Sequence, residues 1–165
     1  ITAIGQITED TLVHQNEYFD FEIKNIQPVG RSVNVVIPLS TPIAENAIYR
    51  KFSAENNWQD FVEDSNNLIS SSLTINGVCP PPHSELFQPG LNVGDYCLRL
   101  TIEDGGANDA DGIANGSIDD PGVLARLPNE VLIKEEVAEK SSSGSINLFI
   151  FLILAFMFYQ RKLHR

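Results

Sequence analysis

Positive charge is scarce in this chain of 165 residues, which has 11 Lys and Arg against 22 Asp and Glu and a formal net charge of -11. Proteins that bind nucleic acids neutralise phosphates with patches of Lys and Arg. No patch of useful size occurs here outside the last few residues. The composition therefore argues against a nucleic-acid partner and favours an acidic, cation-binding or surface role.

Methionine is also scarce. The single Met, Met157, lies close to the C-terminus, and the chain opens with Ile1. We therefore expect the sequence to be the C-terminal piece of a longer or processed precursor. The length accommodates one domain at most.

Polar side chains are almost absent from residues 146–159, where the sequence reads INLFIFLILAFMFY and Asn147 is the exception. A membrane-spanning helix usually needs about 20 apolar residues. The flanking serines and Gln160 can extend this run at the two interfaces. Because a helix here would be apolar on all sides, we predict a single transmembrane helix rather than a buried core helix.

The basic residues that follow the apolar run place the C-terminus in the cytoplasm and the acidic body on the other side of the membrane. We expect the body to be exported. The predicted organisation is an extracytoplasmic domain at 1–122, a stalk with a Ser/Gly linker at 123–145, a transmembrane helix at 146–160 and a basic cytoplasmic tail at 161–165.

Cysteine occurs only twice, as Cys79 and Cys97. In an exported domain two thiols can oxidise to a disulfide, and we predict this pair. The closed loop would contribute on the order of 3 kcal/mol to stability in the chain-entropy model. Two unrelated buried thiols, or half of a zinc site, are the alternatives. Zinc is disfavoured because neither Cys belongs to a C-x-x-C pair and His83 alone would not complete four ligands.

Sustained helical periodicity is absent from the body, which instead shows short alternating segments. In residues 17–24, Phe19, Phe21 and Ile23 share one face, as in a half-buried strand. Other predicted strands lie at 33–39, 47–52, 58–62, 68–75 and 96–102, with one more short strand within 123–140. We therefore predict an all-β fold, an antiparallel β-sandwich that is Ig-like or similar.

Residues 103–122 hold six carboxylates and two Asn, and no Lys or Arg lies between Arg99 and Arg126. Calcium takes six to eight oxygen ligands, which Asp and Asn in a tightly turning, glycine-rich backbone can supply. The spacing does not fit an EF-hand. The predicted calcium ligands are Asp104, Asn108, Asp109, Asp111, Asn115 and Asp119. The alternatives are ordinary Asp-Gly and Asn-Gly turns with solvated acids, and catalysis by an acid pair.

Several motifs in order carry a family resemblance. They are residues 49–52 (YRKF), 57–61 (NWQDF), 67–71 (NLISS), 79–81 (CPP), 89–91 (PGL), 94–102 (GDYCLRLTI) and 104–112 (DGGANDADG). Over about residues 30–122 the chain resembles the choice-of-anchor U domain of bacterial surface proteins. The resemblance implies a domain that precedes a C-terminal anchoring signal.

The tail resembles the GlyGly-type (rhombosortase) sorting signal of Gram-negative bacteria. That resemblance implies cleavage by a rhomboid-like intramembrane protease and export to the cell surface or medium by type II secretion machinery. The glycine pair is replaced here by a Ser-Gly-Ser sequence, so retention as a membrane-tethered protein is the alternative. The residues matched to the signal are Ser143, Gly144, Ser145, Arg161 and Lys162.

No nucleophile, base and orienting group form a recognisable catalytic set. We therefore predict a non-enzymatic surface-anchoring, adhesion or spacer module, stabilised by calcium. One alternative is the C-terminal anchor region of a secreted hydrolase whose catalytic domain lies upstream of Ile1. An enzyme within these residues would need His14 or His83 as a base, and both positions are more typical of surface histidines.

Overall fold

The computed structural model describes residues 10–54 and 56–128, and within these ranges the regular structure is entirely β, with no helix. The all-β prediction is thus confirmed. The strands are β1 (Val13–Ile23), β2 (Ser32–Pro38), β3 (Ala47–Ser53), β4 (Asn57–Asp60), β5 (Leu68–Ser72), β6 (Gln88–Pro89), β7 (Cys97–Glu103) and β8 (Ile118–Arg126).

The strands form two four-stranded sheets, one with the order β1-β8-β3-β4 and the other with the order β2-β7-β5-β6. Every pairing is antiparallel. Tyr49 and Leu124 of the first sheet and Leu100 and Ile102 of the second belong to one hydrophobic core. Two antiparallel sheets that share a core fit the predicted β-sandwich.

Side-chain alternation decides which face of each strand is buried. In β7, Leu98, Leu100 and Ile102 are fully buried in the core. In β1, Phe19 and Phe21 pack against the same core from the other sheet. The period-2 pattern read from the sequence therefore identified the core-facing side of both strands correctly.

Strand β8 differs most from expectation, because it begins at Ile118, inside the segment predicted to be an acidic loop. It passes residue 122, where we placed the end of the domain, and the compact unit extends to Leu127. Pro121 pairs with Asp20 of β1, whereas the pairing with β3 extends only from Arg126 to Gly122. Proline is therefore tolerated, because none of the described strands pairs with that edge of β8 at Pro121.

Within the described ranges no helix has the length and apolar character needed to cross a membrane. The predicted transmembrane helix at 146–160, the cytoplasmic tail at 161–165 and the stalk from residue 129 onwards lie outside the described residues.

Candidate functional site

The two cysteines form a disulfide, with Cα atoms 5.5 Å apart, which confirms the predicted pair. Neither cysteine is free, so the alternatives of separate thiols and of half a zinc site are wrong. Cys97 opens β7 and is fully buried, whereas Cys79 begins the proline-rich segment. The bridge therefore fastens this segment to the second sheet.

The acidic segment is a loop over residues 104–117 between β7 and β8, and Asp104 anchors its start. This side chain is 2% exposed. Its carboxylate accepts hydrogen bonds from the backbone N–H groups of Gly30 at 2.7 Å, Asn115 at 3.0 Å and Gly116 at 2.9 Å. The bond from Gly30, followed by those from the loop, holds the pKa of Asp104 below its usual value. Asp104 thus joins the loop to a distant turn.

Asp109 has a similar structural role within the loop. It is buried, and its oxygens accept backbone N–H bonds from Gly105 at 2.9 Å and Asp119 at 3.1 Å. Burial is the largest influence on this group and raises its pKa. The side chain therefore connects the beginning of the loop to the beginning of β8.

Asn108 connects the loop to the segment after β4. Its Oδ1 accepts a hydrogen bond from the N–H of Val62 at 2.9 Å, and its Nδ2 donates to the carbonyl of Val62 at 2.8 Å. The side chain is 2% exposed. Because all three buried residues of the predicted ligand set already bind the backbone, they hold the loop in shape.

The other three predicted ligands lie at or near the surface. Asp111 is exposed and accepts hydrogen bonds from the N–H of Ile113 and from Nδ2 of Asn115, each at 2.8 Å. Asp119 is half-buried. Its pKa is raised by burial first and then by the neighbouring negative charges of Glu22 and Asp111. A bound cation would relieve this repulsion.

The structure therefore splits the predicted calcium ligands into an inward set and an outward set. The inward set is Asp104, Asn108 and Asp109, and the outward set is Asp111, Asn115 and Asp119. Over the described part of the chain, no three His, Cys, Asp or Glu side chains are grouped to hold a metal ion. Backbone N–H groups around the inward set compete with a cation, so the outward set is the better fit for calcium, which stays a prediction.

A buried polar triad that sequence reasoning missed lies beside this loop. Lys51 of β3 contacts Oδ1 of Asp120 in β8, and the hydroxyl of Tyr49 donates to the same oxygen at 3.3 Å. The three residues are at most 3% exposed. Tyr49 lies over Gly122, where an added Cβ would overlap its ring. The sequence did contain a signal of this triad, namely a lysine two residues after a core tyrosine. Side chains alternate along a strand, so both residues are on the core face.

A cavity of about 200 Å³ separates the acidic loop from the β3–β4 hairpin. Lys51, Phe52 and Gln59 line its hairpin side, and Asn108 and Asp109 line its loop side. The cavity therefore gives solvent a path towards the buried lysine.

The hydrogen-bond partners of the two histidines considered as bases lie outside this loop. Both ring nitrogens of His14 have partners, Oδ2 of Asp10 at 2.8 Å and the hydroxyl of Tyr18 at 2.9 Å. Its side chain is 14% exposed, so it is not the surface histidine we expected. His83 is exposed, as expected, and lies 3.5 Å from Nδ2 of Asn34.

Comparison with known proteins returned no matching family model, no matching curated protein and no matching solved structure.

Proposed function

We propose that this chain is a non-catalytic, extracytoplasmic module that acts as a spacer, adhesion or display domain of an exported bacterial surface protein. The Cys79–Cys97 disulfide carries the proposal. Disulfides persist in oxidising compartments and are rare in the cytoplasm. A domain that depends on one is therefore suited to the cell exterior.

The internal bonding of the acidic loop supports a rigid module. The side-chain oxygens of Asp104, Asn108 and Asp109 accept hydrogen bonds from backbone N–H groups of the loop and of distant segments. A catalytic carboxylate pair needs oxygens directed at a substrate. These three buried side chains instead hold the fold together, which favours a mechanical role over hydrolysis.

Calcium is the proposed stabilising ligand, at the outward-facing acids of the loop. The negative charges of Glu22, Asp111 and Asp20 add to the effect of burial in raising the pKa of Asp119, and Lys24, which pairs with Glu22 at 2.7 Å, offsets only part of their repulsion. An oxygen-binding divalent cation would offset that repulsion.

The sequence of the tail supports the proposed location. Its resemblance to a sorting signal supports export in a Gram-negative bacterium, with either processing by a rhomboid-like protease and type II secretion or retention by a membrane helix. A second candidate function, the anchor region of a secreted hydrolase with a catalytic domain upstream of Ile1, rests on the same tail.

The test is to express the chain behind a secretion signal in a Gram-negative host and to analyse membrane and medium fractions by mass spectrometry of terminal peptides. We expect the protein outside the cytoplasm, ending either near residues 143–145 or at Arg165. A variant lacking residues 146–165 should be released in soluble form. Retention of that variant in the membrane, or accumulation of the reduced protein in the cytoplasm, would contradict the proposal.

The matched control replaces Arg161 and Lys162 with Ala, which keeps the apolar run but removes the basic cluster. We expect altered membrane orientation or loss of processing, with folding of the exported body unchanged. Attachment of a glycosidase or protease domain in the native gene product would favour the second candidate function.

A further inference from the structure

The buried Lys51–Asp120 pair is the feature that the proposed function does not use. The two residues lie on neighbouring strands, and β3 pairs with β8 through Lys51 and Gly122. Because Asp120 is two residues from Gly122, its side chain is on the same face of the sheet as Lys51. Lys51 is 3% exposed and Asp120 is 0% exposed, so water is largely excluded from the pair.

A simple ion pair leaves this site incompletely satisfied. Oδ1 of Asp120 contacts Nζ of Lys51 and the hydroxyl of Tyr49, whereas Oδ2 is buried with no hydrogen-bond partner among the described residues. A carboxylate oxygen buried without a partner is costly. A reaction that removes the negative charge of Asp120, or its Oδ2 atom, would therefore stabilise this arrangement.

Proximity also favours a reaction between the two groups. Nζ of Lys51 contacts the Asp120 carboxyl group directly, at a place from which water is largely excluded. A neutral amine is a nucleophile, and a neutral carboxyl can lose its hydroxyl as water. Holding the two groups in contact raises their effective concentration for amide formation.

We propose that Lys51 and Asp120 join spontaneously in an intramolecular isopeptide bond. A proton passes from the ammonium to the carboxylate, Nζ then attacks Cγ, and the Cγ–Oδ2 bond breaks. Oδ2 leaves as water with one proton from the carboxyl group and one from the amine. No oxidant, reductant or added group is required, and the product is an amide that carries no charge.

Tyr49 is positioned to assist this step. Its hydroxyl donates to Oδ1, the oxygen that becomes negative in the tetrahedral intermediate and remains as the amide carbonyl. A hydrogen-bond donor already in place at a developing oxyanion lowers the barrier to its formation. The cavity lined by Lys51 offers the released water a path to solvent.

The bond would link two strands directly, because Lys51 and Asp120 are far apart in sequence but adjacent in the first sheet. The inference does not depend on the proposed surface function. In a load-bearing exported module, however, such a link would prevent β3 from separating from β8.

Trypsin digestion of the purified, reduced and alkylated full-length chain tests the proposal. The sequence has no Lys or Arg between Lys51 and Arg99, or between Arg99 and Arg126. If the bond forms, trypsin cannot cleave after Lys51, and peptide 51–99 remains attached to peptide 100–126. We expect the joined product to weigh one water less than the sum of the two peptides, with fragment ions that place the link at Lys51 and Asp120.

Two variants give the matched controls. Lys51→Arg keeps the positive charge but lacks the amine nucleophile, so peptides 52–99 and 100–126 should separate completely. Tyr49→Phe keeps the ring and should reduce the joined fraction by roughly tenfold or more at early times after synthesis, as expected for the loss of one oxyanion donor.

The wild-type digest keeps the test decisive even if a variant fails to fold. Recovery of residues 52–99 and 100–126 only as separate linear peptides from the folded wild-type protein would overturn the proposal and leave a non-covalent ion pair. A joined product linked at other residues would also overturn it.

Discussion

Asn108 pairs with Val62 as though it were part of a neighbouring strand. Its amide oxygen accepts from the Val62 N–H at 2.9 Å, and its amide nitrogen donates to the Val62 carbonyl at 2.8 Å. The contact spans 46 positions of sequence. It joins the acidic loop to the chain that leaves β4, and therefore to the first sheet.

We expect Asn108→Ala to destabilise the fold by about 2 kcal/mol, because the buried amide of Asn108 makes two hydrogen bonds to the backbone of Val62 and both are lost. Urea unfolding followed by tryptophan fluorescence would measure the change. The control is Asn66→Ala, which removes an exposed amide bonded to Glu103 and should cost less than about 0.5 kcal/mol. Equal effects of the two substitutions would show that Asn108 does not hold the loop.

The disulfide gives a second prediction. Replacing both Cys79 and Cys97 with Ser should lower the free energy of unfolding by about 3 kcal/mol, because the unfolded chain regains the freedom that the bridge removes. Labelling of the unfolded, non-reduced wild-type protein should detect no free thiol. Two labelled thiols in protein recovered from the cell exterior would count against the bridge and against the proposed compartment.

The sequence predicted the elements whose side chains alternate between core and solvent. β2, β3 and β7 begin and end within about one residue of expectation, because each carries a clear period-2 pattern. The disulfide could also be predicted, since the only two cysteines of the sequence fall in one domain that we expected to be exported. These features depend on local pattern and composition.

The acidic segment could not be resolved in the same way. Its carboxylates look equivalent in sequence, yet Asp104 and Asp120 are buried whereas Asp111 is exposed. The buried carboxylates differ from Asp111 in having partners that are far away in sequence. These partners are the N–H of Gly30 for Asp104 and the amine of Lys51 for Asp120. The first part of β8, before residue 123, was missed for a related reason, because acids and Pro121 in it suggested a turn.

Calcium binding is tested best at the outward-facing acids. We expect millimolar calcium to raise the melting temperature of the wild-type protein, and Asp111→Asn with Asp119→Asn to reduce that rise, because two ligand charges are lost. Asp109→Ala is a poor test, since it also removes the acceptor for the N–H groups of Gly105 and Asp119. Identical melting temperatures of the wild-type protein in calcium and in EDTA would contradict the calcium prediction.

The contribution of Asp104 to the stability of the fold should depend on pH. Its pKa in the folded protein is lowered from an ordinary value of 3.8, first by the N–H of Gly30 and then by the loop amides. A lowered folded pKa means that the stabilisation is complete above 3.8 and is lost as the pH falls from there through the folded value.

Asp104→Asn isolates this contribution, because the buried Asp109 and Asp120 have raised pKa values and oppose it in the wild-type curve. The side-chain amide introduced by Asp104→Asn places N–H groups against the backbone N–H donors. The variant should therefore be less stable than the wild-type protein at neutral pH. The difference in unfolding free energy between wild type and Asp104→Asn should then narrow as urea titrations descend from about pH 6 to about pH 3. A difference that stays constant over that range would show that the charge of Asp104 does not hold the loop, and that only the shape of its side chain does.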